Sequence, residues 1–232
     1  MNGPDLDALQ AQCKELVALV GELSDADWDK ATRCPGWTVK ELVAHCENML
    51  VRLVGENATA VEGPPEIDRV GYYGYDPDGP REGEDGSKTF SEIIRQRVID
   101  EVAGRSPAEL RTSLESSIDS AMAGVREIPA DRVIKRSGHP RMRFDEFVAS
   151  RVLEFGVHTM DIGHATLRGE RVVPDAVPII VGILQGRLGA PLPKGMGWDD
   201  RTFILTGTGR RRLEPNERFA LGELASKFPL LR

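Results

Sequence analysis

The sequence predicts a mainly α-helical protein, a helical bundle over residues 1–170 followed by a small mixed α/β appendage over residues 171–232. Three observations carry that expectation. Apolar residues recur at spacings of three and four through most of the first 170 positions, the period of a helix with one buried face. Helix-start signals, Thr38-x-x-Glu41 and Ser106-Pro107, precede two of these stretches and suit the free N–H groups of a first turn. A short run at 201–206 is rich in the β-branched and aromatic residues of a strand.

The first helix covers about residues 6–23, with Leu9, Cys13, Leu16 and Val20 on one face. Ser24-Asp25 starts a short turn of helix carrying Trp28, and Cys34-Pro-Gly-Trp37 is a turn by its Pro-Gly pair. Thr38 then caps a second helix, with Glu41 reaching back from the third helical position. That helix gathers Val39, Leu42, Val43, Cys46, Met49, Leu50 and Leu53 on one side. Residues 55–87 are rich in Gly, Pro, Asp and Glu and hold all three tyrosines of the chain, in Gly71-Tyr-Tyr-Gly-Tyr75. A loop of this length inside a compact domain is often functional or disordered. It reads either as a segment pinned to the core by its aromatic rings or as a lid, which makes Tyr75 a candidate cofactor-binding residue.

The third helix spans about residues 90–103, with Ile94, Val98 and Val102 as its stripe. Ser106 and Pro107 open a fourth, carrying Leu110, Leu114, Ile118, Met122 and Val125. Residues 132–136 read as extended and 138–140 as a turn. A fifth helix covers about 143–167. Beyond it come a helix over 172–187, the strand over 201–206 and a last helix over 215–227.

Composition narrows the function. The 232 residues are 40% apolar and 29% charged, as in ordinary folded proteins. A net charge of -7 argues against nucleic acid as a partner, because binding a phosphate backbone needs a basic face. The N-terminus lacks the apolar stretch of a signal peptide. No apolar run approaches the ~20 residues needed to cross a bilayer, so no membrane partner is expected. Cys13, Cys34 and Cys46 form no C-x-x-C pair and read as free thiols of a reducing, cytoplasmic compartment.

The chemistry concentrates on the fifth helix. Phe147, Arg151, Glu154, His158 and Asp161 fall along one face at spacings of four, three, four and three. The stretch has no lysine, unlike a typical solvated face, and burying such a row without partners would cost several kcal/mol. Burial therefore requires ion pairs or a metal. His45 lies at the border of the apolar stripe of the second helix, from where an imidazole reaches either a pocket between helices or a hydrogen bond within the core. Two imidazoles and a carboxylate suit Zn²⁺, and also Ni²⁺, Fe²⁺ or Mn²⁺. Such a three-donor site leaves a position for water, thiolate or substrate. Asp161 reads as a partner orienting an imidazole or as a helix-end neighbour.

Trp28 and then Thr32-Arg-Cys-Pro-Gly-Trp37-Thr-Val-Lys-Glu-Leu-Val-Ala-His45 resemble the N-terminal signature of the mycothiol-dependent maleylpyruvate isomerase family. Arg151-x-x-Glu154-x-x-x-His158-x-x-Asp161 resembles its second signature. The resemblance implies a DinB-like metal-binding four-helix bundle and a divalent metal, usually zinc, held by His45, Glu154 and His158. It also implies mycothiol as a low-molecular-weight thiol cosubstrate and a small electrophile as substrate, with no protein cysteine as nucleophile. Arg151 and Asp161 then become candidate catalytic residues, and Arg210 a candidate for holding carboxylates of substrate or thiol by bidentate pairing. The expected reactions are S-transfer and thiol-assisted isomerisation, in a protein that could act as a homodimer. A non-catalytic metal-stabilised binding protein and a metal-dependent hydrolase are the alternatives.

Overall fold

A computed structural model describes residues 1–55, 58–74, 90–136 and 139–231. Helix α1 (Pro4–Gly21) is followed by a single 3-10 turn at Asp25–Asp27 and by α2 (Val39–Leu53). Next come the one-turn helix α3 (Arg69–Tyr72), α4 (Phe90–Val102) and α5 (Pro107–Arg126). Strands β1 (Val133–Ile134) and β2 (Met142–Arg143) pair antiparallel, Val133 opposite Arg143, and β2 runs directly into α6 (Phe144–Ala165). The chain ends with α7 (Val177–Leu188), α8 (Asp200–Gly207), α9 (Pro215–Leu221) and a 3-10 segment at Gly222–Lys227.

Four long helices make the bundle: α1 packs on α6 and α5, and α2 packs on α5 and α6. Their predicted stripes are the core, with Leu9, Cys13, Leu16 and Val20 of α1 and Leu110, Leu114, Ile118, Met122 and Val125 of α5 all buried. Helix α6 is buried around most of its circumference, because α1 and α2 cover two sides and α7 lies on a third. The helix starts follow their local chemistry. Thr38 Oγ1 accepts from the Glu41 N–H at 3.3 Å while Glu41 Oε2 accepts from the Thr38 N–H at 2.7 Å. Ser106 and Glu109 repeat the arrangement ahead of α5, with Pro107 in its first turn.

Three expectations need correction. Residues 201–206 lie in helix α8 rather than in a strand. The side chain of Asp199 accepts from the Thr202 N–H at 2.7 Å and caps the helix start. Packing on α7 then buries Phe203, Ile204 and Leu205. With no strand beside it among the described residues, helical bonding satisfies this backbone, and tertiary context overrides the β propensity. Helices are consequently the only regular elements among the described residues of the C-terminal segment, and the only strand pair among the described residues precedes α6. Helix α7 starts at Val177 rather than near residue 172, since Pro174 disfavours a helical conformation at Val173 and Gln12 Oε1 accepts the Val173 N–H at 3.0 Å.

The segment after α2 is less loop-like than its composition implies. Ala60 bridges to Ile134 and Ile67 to Met142, which ties this stretch to the β1–β2 hairpin ahead of α3. Tyr75 lies outside the described residues. No described helix is long and apolar enough to cross a membrane.

Candidate metal centre and its surroundings

Helix α2 brings His45, and helix α6 brings Glu154 and His158, to a common point. One donor atom from each lies within 4.8 Å of the other two. Glu154 Oε2 is 3.4 Å from His158 Nε2. The two imidazoles meet edge to face with centroids 5.2 Å apart, and the Trp37 ring flanks His45 at 5.3 Å. The spacing of four on α6 sets Glu154 and His158 on one face, and α2 packs beside that face.

The electrostatics separate the two histidines. Burial, aided by the neighbouring His158, pushes the His45 pKa down to about 3, so this imidazole is neutral and its lone pair is free to bind. For Glu154, burial works to raise the pKa, but the His158 hydrogen bond and the Arg151 charge outweigh it and hold the carboxyl well below its usual range. Burial opposes charge on His158 too, yet contacts with Asp161, Cys34 and Glu154 raise its pKa well above that of free imidazole. His158 thus lies between the carboxylates of Glu154 and Asp161. Its buried Nδ1 finds no hydrogen bond of normal length, and Asp161 Oδ2 is the nearest carboxylate oxygen at 3.6 Å.

Asp161 is completely buried and anchors a second layer. Arg33 Nε donates to its Oδ1 at 3.2 Å, Arg210 Nη2 to its Oδ2 at 2.8 Å, and the Cys34 thiol to its Oδ2 at 3.2 Å. Arg33 also donates to Glu170 Oε1 at 2.6 Å, and Arg201 Nη2 lies 2.5 Å from Glu170 Oε2. Burial would raise the Asp161 pKa, but the nearby His158 ring and the hydrogen bonds from Arg210 keep it below the carboxylate range. Arg210, on the turn after α8, thus carries the C-terminal segment to the back of His158.

Arg151 flanks the other side. Its guanidinium lies 4.9 Å from the Phe147 ring centroid and 5.3 Å from that of Tyr72, donates to Ser150 Oγ at 3.1 Å, and comes within 3.9 Å of Glu154 Oε1. Arg136 rests on the same two rings, and its buried Nε has no hydrogen-bond partner. The Tyr73 hydroxyl has two acceptors in reach, the Ser150 carbonyl oxygen at 2.8 Å and Glu154 Oε1 at 3.1 Å, and its single proton is shared between them. Burial pushes the Tyr73 pKa well up, so this hydroxyl remains a donor.

The structure brings together His45, Glu154, His158, Arg151, Asp161 and Arg210. Sequence reasoning missed Arg33, Trp37, Tyr73 and Arg136 as neighbours of the centre. Arg33 and Trp37 flank the Cys34-Pro-Gly turn, and Tyr73 sits two residues before the tyrosine singled out in the same run. Position in those motifs was a usable signal, whereas nothing local distinguishes Arg136 from an exposed arginine. Cys34 lies half-buried beside Asp161, while Cys46, its pKa pushed up to about 12 by burial, and Cys13 are packed in the core.

A helical bundle of the DinB-like type, with a His-Glu-His group between facing helices, is the class that this fold and site define. The chain belongs to the family described as the mycothiol maleylpyruvate isomerase N-terminal domain, whose model matches residues 9–163. Two solved structures are similar in fold. The mycothiol-dependent maleylpyruvate isomerase is 15% identical, with a TM-score of 0.53, over 84% of this chain and 72% of that one. A mutant of the mycothiol-dependent maleylpyruvate isomerase is 14% identical, with a TM-score of 0.54, over 79% and 68%. No curated protein sequence gives a significant match.

Proposed function

We propose that this chain is a metal-dependent enzyme in which His45, Glu154 and His158 hold a divalent cation, zinc by the character of the donors, and mycothiol attacks a small electrophile. One observation carries the reading: a neutral imidazole, an ionised carboxylate and a second imidazole from two helices come within 4.8 Å of one another. That donor set fits the group. An imidazole with an orphaned buried nitrogen, wedged between two carboxylates, is where a cation would find ligands already gathered. When bound, the cation lowers the pKa of a thiol at its open position, so that the thiol reacts as thiolate.

The remaining groups bind and orient. Asp161 faces His158 Nδ1 and fixes the ring, while Arg33 and Arg210 keep that carboxylate ionised. Arg151, backed by Arg136 on the shared Tyr72 and Phe147 rings, offers positive charge to a carboxylate of the electrophile. Arg210, of which 18% stays exposed, offers the same at the opposite edge. Addition of the thiolate to an activated double bond followed by its loss isomerises the substrate. Displacement of a leaving group instead gives an S-conjugate.

The test pairs metal analysis with turnover. The purified chain is expected to carry stoichiometric metal that His45→Ala and Glu154→Ala lose, and to conjugate mycothiol to a bimane electrophile in a His158-dependent way. Full metal loading with no turnover across a panel of thiols and electrophiles would leave a binding protein. Ester or amide cleavage without thiol would make it a hydrolase.

A further inference from the structure

The residues after α2 do more than cover the core, because α3 is fastened at both ends. Asp68 Oδ1 accepts from the Val70 and Gly71 N–H groups at 3.0 and 2.7 Å. Arg69 donates from Nε to Glu146 Oε2 at 2.7 Å and from Nη2 to Asp5 Oδ2 at 2.8 Å, which ties α3 to the first turns of α6 and α1. Val70 packs so closely on Gly186 of α7 that a Cβ at Gly186 would lie 2.6 Å from a Val70 methyl. The next residues, Tyr72 and Tyr73, meet edge to face with centroids 5.1 Å apart. This frame delivers the Tyr73 hydroxyl between the Ser150 carbonyl and Glu154 Oε1. Glu154 is thereby divided, with Oε1 on the tyrosine and Oε2 turned 3.4 Å from His158 Nε2.

We propose that Tyr73 is a positioning residue for cation binding: its hydroxyl holds Glu154 Oε1, which leaves Oε2 as the oxygen offered beside His45 and His158. This inference rests on the metal reading above. A carboxylate free to rotate about its last bond presents either oxygen and loses freedom on binding, whereas one already held by a donor does not. The α3 strap is then part of the centre, joined to it by one hydrogen bond, and the neighbouring Tyr72 hydroxyl, which pairs with Arg136, has no such role.

The test titrates chelator-stripped protein with Zn²⁺ in competition with a chromophoric chelator, and with Co²⁺ followed by visible absorption. Tyr73→Phe is expected to weaken binding about 10- to 100-fold, the usual cost of removing a group that orients a ligand, and to alter the Co²⁺ bands. Tyr72→Phe should bind within about twofold of wild type. In a Glu154→Gln background, Tyr73→Phe should add no further loss, because its effect passes through that carboxylate. Thermal unfolding of the stripped variants establishes that each is folded, and the Glu154→Gln pair reads the coupling whatever stability Tyr73→Phe gives up. Wild-type affinity and spectrum in Tyr73→Phe would overturn the inference, as would an equal loss in both backgrounds. Wild-type protein that takes up neither cation would overturn the metal reading itself, and this inference with it.

Discussion

Gly163 on α6 gives the sharpest test of how the centre is supported. A Cβ built at this position falls on the carbonyl oxygen of Gly169, far inside van der Waals contact. That carbonyl belongs to the tight loop after α6, where the Arg168 N–H donates to the Gly163 carbonyl at 2.8 Å and Gly169 takes a φ of 82°. Gly163→Ala gains up to about 1 kcal/mol of helix propensity. To fit, however, the loop must retreat by about 1 Å, an overpacking cost of roughly 2–3 kcal/mol where backbone rather than a side chain must yield. The retreat also disturbs Glu170, the next residue, and its 2.6 Å bond from Arg33. The net expectation is a loss of about 1–2 kcal/mol, or roughly 2–8 °C in Tm for a chain of this size. Gly182 on α7 is the control, since a Cβ there meets nothing within 4 Å. Gly182→Ala should stabilise by about 0.5–1 kcal/mol. Denaturant and thermal unfolding of both variants measure the difference, and a Gly163→Ala protein as stable as Gly182→Ala would refute the close approach.

Asp161→Asn leaves Arg33 and Arg210 without their shared carboxylate and should cost about 3 kcal/mol at pH 7. Because the folded Asp161 pKa is lowered, its contribution is full above the unfolded value near ~4 and is lost as pH falls through the folded value. The gap between wild type and variant in denaturant unfolding should therefore narrow below about pH 4. Thr38→Ala removes one half of the capping box ahead of α2 and should cost about 1 kcal/mol in the same assay. Alkylation of the native protein with iodoacetamide, read by mass spectrometry, should label Cys34 and spare the buried Cys13 and Cys46 until the chain unfolds.

Much of this architecture is legible in the order of residues because its rules are local. The periods of α1, α2 and α5 and the caps at Thr38 and Ser106 depend on neighbours within one turn. The face of α6 that carries Arg151, Glu154, His158 and Asp161 is visible for the same reason. Whether His45 meets that face is a question of how two helices pack, which periodicity leaves open and coordinates answer. The 201–206 segment misled because its side chains suit either a pleat or a buried helix, and the deciding facts, an Asp199 cap and the surface of α7, lie outside the run. The partners of Asp161 were hidden for a similar reason: Arg33 is 128 positions away and Arg210 is 49. Such pairings emerge only when the chain has closed on itself.

Arg210 reaches Asp161 from beyond the stretch, residues 9–163, that bears the family signature. The scaffold that gathers His45, Glu154 and His158 and the guanidinium behind His158 therefore lie in different parts of the chain. A change confined to the tail would alter the charge beside His158 while the bundle that holds the ring stays as it is.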